Sequence, residues 1–297
     1  MYPRVIAPLI TPYKETLEVD LDSFYNLAEK LSSKRIGLLV AGTTGEMPLL
    51  TIGEKMALAK AAVEAAGGRV PVIVGVGGPD PSRVLEEARS IARVSGVDAL
   101  LVPPPYYYPV GQGDVEAFYS WLASRIEKPV MIYNIPSHTG VNVEPETVER
   151  LSSHVNIVGV KATVDSSLYQ FRLITRLRDR PEFKVYSGLD HLLAYNLILG
   201  GSGGIVAGAN VCPRLLLEIS KAALEDPDKL PVLHERLSRM WSILSRARSV
   251  QGALKAVLAL HGTIRTVVSR PPIPPDAEKT IAEIQEEWVR QGFHETC

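Results

Sequence analysis

The sequence predicts an α/β chain in which eight βα units close into a TIM (β/α)8 barrel, followed by a C-terminal helical extension. Three observations support this fold. Along the first ~220 residues, short β-branched runs alternate with helical patterns at the spacing of repeated βα units around a parallel sheet. The runs are apolar nearly throughout, as strands covered on both faces must be. Beyond residue 224 the strand signals stop and only helical patterns continue. We therefore divide the chain into a barrel over 1–224 and an extension over 225–297. A doubly wound open sheet is the alternative, but the glycine fingerprint of dinucleotide-binding folds is absent.

The expected strands lie at 4–10, 36–40, 71–75, 98–102, 129–133, 156–160, 183–187 and 203–207. Between them, Leu21, Phe24, Leu27 and Leu31 recur at helical spacing. Thr51 with Glu54 forms a capping-box pattern, and Asp80 before Pro81 reads as an N-cap followed by a first-turn proline. Gly75-Val-Gly-Gly78 lacks both the P-loop lysine and the dinucleotide spacing, so it reads as a plain βα turn and gives no support to a phosphorylated substrate. In the extension, Leu230, Leu233, Leu237 and Leu244 form one stripe and Ile281, Ile284 and Trp288 another. Arg270-Pro-Pro-Ile-Pro-Pro275 separates them. These helices are expected to pack on the barrel or on a neighbouring subunit.

Composition narrows the function. Lysine plus arginine (32) nearly balances aspartate plus glutamate (33), and no basic segment is interleaved with aromatics, which argues against a nucleic-acid partner. No apolar stretch approaches the ~18 residues of a membrane span, and the run from Val5 to Ile10 is too short for a secretory signal. A cytoplasmic protein is expected. Cys212 and Cys297 lie far apart in sequence, so we draw no disulfide and no metal motif from them, and a reducing compartment fits that usage.

In a barrel of this type, chemistry sits where the strands end at their C-terminal face. The second strand leads into Gly42-Thr43-Thr44-Gly45-Glu46, and the fourth into Pro103-Pro-Pro-Tyr106-Tyr107-Tyr108-Pro109. The fifth ends at Tyr133-Asn134, the sixth at Lys161, and the seventh leads into Ser187-Gly188-Leu189-Asp190. A primary amine held where water is scarce loses part of its preference for the charged form and becomes a nucleophile for a ketone carbonyl. Glycines around paired threonines let backbone N–H groups and a hydroxyl converge on a small carboxylate, although the same pattern also suits a simple turn. A tyrosine aligned by hydrogen bonds relays protons, and Tyr133 and Tyr107 are the candidates. Each of these residues also has a bland reading. A strand-end tyrosine can be a packed aromatic, and a lysine can pair with an acid or extend to solvent.

Taken together, Gly42-Thr-Thr-Gly-Glu46, Tyr133-Asn-Ile-Pro-Ser-His-Thr-Gly140 and Gly159-Val-Lys161 resemble the class I pyruvate aldolase family. That family includes dihydrodipicolinate synthase, N-acetylneuraminate lyase and 2-keto-3-deoxygluconate aldolase, and the resemblance covers essentially the whole chain. It implies that Lys161 forms a Schiff base with pyruvate, that Tyr133 shuttles protons, and that Thr43 and Thr44 hold the pyruvate carboxylate. It also implies that the Thr44 hydroxyl links Tyr133 to Tyr107 reaching in from a neighbouring subunit. The protein would then be a homotetramer, a dimer of dimers. Ile205, in Gly204-Ile-Val206, matches a strand-eight position whose backbone lies beside the keto acid.

The synthase branch of the family has an arginine where this chain has His138, and that arginine grips the carboxylate of the aldehyde substrate. An imidazole does not reproduce bidentate recognition by a guanidinium. In the sugar-acid aldolases, substrate hydroxyls are held at positions matching Thr163 and Gly188 to Asp190, where this chain is also polar. The Tyr-Tyr-Tyr-Pro and Arg-Pro-Pro-Ile-Pro stretches likewise resemble archaeal keto-deoxygluconate enzymes. Glu46, by contrast, follows the glycine as in the synthases. The expected reaction is therefore cleavage of 2-keto-3-deoxygluconate to pyruvate and glyceraldehyde, with dihydrodipicolinate synthesis and a non-catalytic keto-acid sensor as alternatives. No cofactor or metal is expected, because an iminium takes the place of a Lewis acid as electron sink. The six histidines also show no close-paired ligand spacing. His191, beside Asp190, is either a substrate contact or a surface residue.

Overall fold

The computed structural model describes residues 3–297. The first two residues of the expected barrel segment lie outside it. Eight parallel strands pair in sequential order, and β8 returns to β1 to close a barrel. They are β1 (Val5–Pro8), β2 (Gly37–Val40), β3 (Val72–Gly75), β4 (Ala99–Val102), β5 (Val130–Asn134), β6 (Ile157–Ala162), β7 (Lys184–Ser187) and β8 (Gly203–Ile205). Each falls in its expected place. β5 runs one residue and β6 two residues past the predicted end, so Lys161 lies within its strand rather than closing it.

The strands are apolar on both faces because each face meets a different core. Ile6, Leu39, Ile73, Leu101, Met131, Tyr133 and Ile205 fill the barrel interior. Alternate residues such as Leu38, Val72, Leu100, Val130 and Ile132 pack outward against the helices. This alternation puts Tyr133 inside the barrel once Met131 is inside.

The helices begin where local chemistry predicts. Asp20 accepts from the Ser23 N–H and opens the helix Leu21–Ser33, which buries Phe24, Leu27 and Leu31. Thr51 and Glu54 cap Ile52–Ala66 reciprocally, and Asp80 with Pro81 starts Pro81–Ala92. In the turn after β3, the Gly77 N–H donates to the Glu87 carboxylate at 3.1 Å.

After the helix Pro213–Glu225 come the helices Leu230–Leu244, Val250–Leu260 and Glu278–Arg290. The first buries Leu237 and Leu244, and the third buries Ile284 and Trp288. The segment between the last two contains a cis Pro271-Pro272 bond.

The cysteine expectation is overturned, because Cys212 and Cys297 form a disulfide. Sequence separation was a poor guide. The final turn, Phe293–Thr296, folds back so that the C-terminal residue meets the start of Pro213–Glu225. With the thiols paired, the inference of a reducing compartment loses its basis. Among the described residues, no helix is long and apolar enough to cross a membrane.

Candidate active site

Parallel pairing sets Tyr133 on β5 level with Lys161 on β6, and Lys161 level with Tyr186 on β7, so the three side chains share the inner face. Lys161 is only 3% exposed, and its Nζ donates to the Tyr133 hydroxyl at 3.3 Å and lies 4.4 Å from that ring's centroid. Among the described residues no carboxylate pairs with it. The Tyr133 hydroxyl in turn meets Thr43 Oγ1 at 3.0 Å. An amine, a phenol and an alcohol thus form one hydrogen-bonded line across the barrel mouth.

The family resemblance had given Thr44 the link to Tyr133, but the geometry brings Thr43 there instead. Thr44 still lines the cavity. The turn after β2 decides which hydroxyl faces the phenol. Met47 N–H donates to Gly42 O and Glu46 N–H to Thr43 O, both at 3.1 Å, while Ala41 and Glu46 adopt left-handed backbone angles. Gly45 is required in this turn, because a Cβ there would sit 2.8 Å from the Leu9 carbonyl oxygen. Neighbouring residues in so tight a turn point apart, and their order in sequence does not say which way.

The loop after β5 is held by Asn134. Its side chain donates to Asn142 Oδ1 at 2.9 Å and to the Tyr169 hydroxyl at 2.7 Å, and accepts from Val143 N–H at 3.0 Å. This closes the loop around Pro136–Thr139 and sets His138 on the cavity wall. Burial and the nearby Lys161 push the His138 imidazole below its ordinary range, favouring its neutral form.

Past β7 the backbone comes close to the lysine. A Cβ on Gly188 would meet Thr163 Oγ1 at 1.9 Å and Lys161 Cε at 3.1 Å, so only glycine fits. Thr163 Oγ1 is buried and has no hydrogen-bond partner among the described residues. Leaving such a group unpaired costs about 1–3 kcal/mol, which a ligand hydroxyl at this point would recover. Asp190 is buried, and desolvation lifts its carboxyl to about 6, against the opposing pull of the Gly208 and Ala207 N–H groups and the Trp241 side chain. His191 donates to Asp165 at 2.9 Å on the exposed rim.

Together these residues enclose a cavity of about 380 Å3 lined by Thr43, Thr44, Tyr133, His138, Lys161, Thr163, Gly188, Asp190 and Ile205. Tyr107 is not among them. It is 81% exposed with a left-handed φ of 84°, its ring edge-on to Tyr108 at 5.1 Å. The sequence reading missed Trp241, Val250 and Gln251, which bring the extension into the cavity wall. The helical stripes locate their helices, but nothing local says that the start of Val250–Leu260 faces the barrel mouth.

Comparisons with known proteins agree with this geometry. Residues 1–289 match the dihydrodipicolinate synthetase family. The probable 2-dehydro-3-deoxy-D-pentonate aldolase YjhH of Escherichia coli K12 is 31% identical over 293 residues, covering 97% of each chain. The 4-hydroxy-tetrahydrodipicolinate synthase of Fervidobacterium nodosum is 33% identical over 294 residues, covering 98% of each. Among solved structures, YagE of E. coli K12, a prophage protein of the dihydrodipicolinic acid synthase family in complex with pyruvate, superposes with a TM-score of 0.92 at 27% identity over the full length of both chains. The closed barrel, the lysine within it and a match spanning nearly every residue lead to one conclusion: the chain belongs to the dihydrodipicolinate synthetase family, class I pyruvate-dependent aldolases and lyases that work through a lysine Schiff base without a metal cofactor.

Proposed function

We propose that the protein cleaves 2-keto-3-deoxygluconate, or a closely similar 2-keto-3-deoxy sugar acid, to pyruvate and an uncharged hydroxyaldehyde, with Lys161 as the imine-forming amine. One observation carries the choice of substrate. Among the described residues no arginine lines the cavity, and its wall offers His138, Thr163, Asp190 and Gln251, groups suited to hydroxyls rather than to a second carboxylate. The buried Asp190 would also repel an anionic aldehyde once ionised. The similarity to the E. coli pentonate aldolase points the same way. Glu46, which by sequence argued for the synthases, faces away from the cavity and pairs with Lys255.

In the reaction, Lys161 Nζ attacks the keto carbon while Thr43 and Thr44 hold the carboxylate. Water leaves the carbinolamine and an iminium forms. Tyr133 removes the proton of the C4 hydroxyl, the C3–C4 bond breaks toward the iminium, and the aldehyde departs. The remaining enamine is protonated at C3, and hydrolysis releases pyruvate and the free lysine. Thr43, at 3.0 Å from the phenol, orients Tyr133 for both proton transfers. Tyr107 of a second copy would extend this line, in keeping with a homotetramer, and its exposed position in the single chain suits that role.

The test is to incubate the protein with pyruvate and borohydride, digest it, and look for a reduced adduct on the peptide carrying Lys161. Lys161→Ala should abolish both adduct and turnover. A folded wild-type protein that forms no adduct would be a keto-acid sensor instead. Comparing keto-deoxygluconate cleavage with condensation of pyruvate and aspartate semialdehyde then decides the substrate. A strong preference for the semialdehyde would reassign the enzyme to the synthases, as the similarity to the Fervidobacterium protein would have it. Sizing of the native protein as a monomer would remove the intersubunit role of Tyr107.

A further inference from the structure

Directly behind the threonine turn lies a buried charged cluster that the chemistry above does not use. Glu46 and Lys255 are both fully buried, and Lys255 Nζ donates to Glu46 Oε1 at 2.6 Å. The same ammonium donates to the Val268 carbonyl at 2.7 Å and to Ser269 Oγ at 2.9 Å, while Arg270 N–H donates to Glu46 Oε2 at 3.2 Å. The Arg270 guanidinium reaches the Leu49 carbonyl and Glu54, and both cations lie near the Tyr13 ring, at 4.6 and 4.7 Å from its centroid. The turn at residues 42–49 is thereby fastened to the helix Val250–Leu260 and to the segment that follows it.

Stability alone does not account for such a pair. The desolvation of two buried ions is repaid only when the geometry is good, and apolar replacements of similar volume are often neutral or stabilising. What this pair fixes is placement. Glu46 holds a left-handed backbone angle, φ 61°, that a residue with a side chain adopts only when its surroundings impose it. Its N–H donates to the Thr43 carbonyl, and one turn before Lys255, on the same helix face, Gln251 Nε2 donates to that carbonyl at 3.0 Å. The carbonyl of Thr43 is thus anchored from two sides while its hydroxyl meets Tyr133.

We propose that Glu46, Lys255 and Gln251 are positioning residues, through which the helix Val250–Leu260 sets the height of the Thr43 hydroxyl against Tyr133 and so shapes the carboxylate cradle. This rests on the assignment of Lys161, Tyr133 and Thr43 given above. The extension is then a working part of the site rather than a cover for the barrel.

The test uses the full-length chain with Lys255→Met, Glu46→Gln, the double variant E46Q/K255M, and Gln251→Asn, which withdraws one donor and leaves the ion pair intact. Each is measured for its thermal midpoint, for the pyruvate concentration that half-saturates borohydride trapping at Lys161, and for the kcat of aldol cleavage. The single charge variants should lose thermal stability, because each strands a buried partner. The double variant should recover most of that loss, yet keep a half-saturating pyruvate concentration raised about tenfold and a kcat lowered by a similar factor, each factor the worth of roughly one lost hydrogen bond. Gln251→Asn should show the same kinetic change at a near-wild-type thermal midpoint. Recovery of kinetics together with stability in the double variant would overturn the proposal, as would unchanged half-saturation in Gln251→Asn. A wild-type chain that traps no pyruvate would instead overturn the site assignment and this inference with it, whereas a trapping wild type with unaffected variants overturns this inference alone.

Discussion

Replacing Asp190 with asparagine should change how stability depends on pH, and by an amount that the burial of this residue sets. Desolvation raises the Asp190 carboxyl from 3.8 to about 6 in the folded chain. At about 1.4 kcal/mol per tenfold change in proton affinity, ionised Asp190 costs the fold about 3 kcal/mol relative to the unfolded chain. The folded carboxyl holds its proton more tightly than the unfolded one. Its contribution is therefore fully present below pH 3.8 and is lost as pH rises through about 6. Asparagine removes this dependence. It also misplaces an NH2 group against the donors that face Asp190, but that penalty is the same at every pH. The informative quantity is thus the change in the wild-type-minus-variant difference, measured by denaturant or thermal unfolding at several values from pH 4 to 7.5. Over that window it should move by about 2.5 kcal/mol in favour of Asp190→Asn, or about 4 °C for a chain of this size. Parallel stability curves for the two proteins would show that Asp190 titrates normally, and that the cavity wall is wetter than its burial indicates.

Three further outcomes follow from the same geometry. Tyr133→Phe should lower kcat by about 10²–10⁴-fold while the pyruvate adduct at Lys161 still forms, and an equal loss of pyruvate binding would count against the shuttle role. Gly188→Ala puts a methyl group into Thr163 and against Lys161 Cε; the borohydride-trapping rate should fall by about a hundredfold in a folded protein, and a normal rate would mean that this wall yields easily. Cys297→Ser opens a cross-link spanning 85 residues and should cost up to about 4–5 kcal/mol by chain entropy, with reduced wild type matching the variant in thermal melts and a reductant-insensitive wild type refuting the contribution.

The barrel was legible because its signals are local and repeated. Eight apolar runs, each followed by a helical pattern with recognisable caps at Thr51 and Asp80, leave few architectures open. Lys161, Tyr133, Thr43 and Gly188 were legible for a related reason, since each stands at or just beyond the end of a strand, whereas Thr163 came only from the family resemblance. The choice between Thr43 and Thr44 was not. It depends on the course of a turn whose angles are imposed by Glu46 and Gly45, and the partner that holds Glu46 is more than two hundred residues away. Asp190 was picked out as a substrate contact, but its raised proton affinity comes from desolvation that only the packed structure imposes, and the N–H groups of Gly208 and Ala207 and the Trp241 side chain offset part of it.

By itself, then, the sequence determined the period of the barrel, the identity of the amine and phenol at its mouth, and a histidine, His138, where the synthase branch carries an arginine. Only the tertiary structure decided that the C-terminal helices reach the cavity wall, that Cys212 meets Cys297, and that Glu46 pairs with Lys255 instead of facing the cavity. The physical reason is one of range. Strand alternation and helix capping are settled within a few residues of chain, whereas buried ion pairs, disulfides and shared cavity walls join segments whose meeting no local pattern encodes.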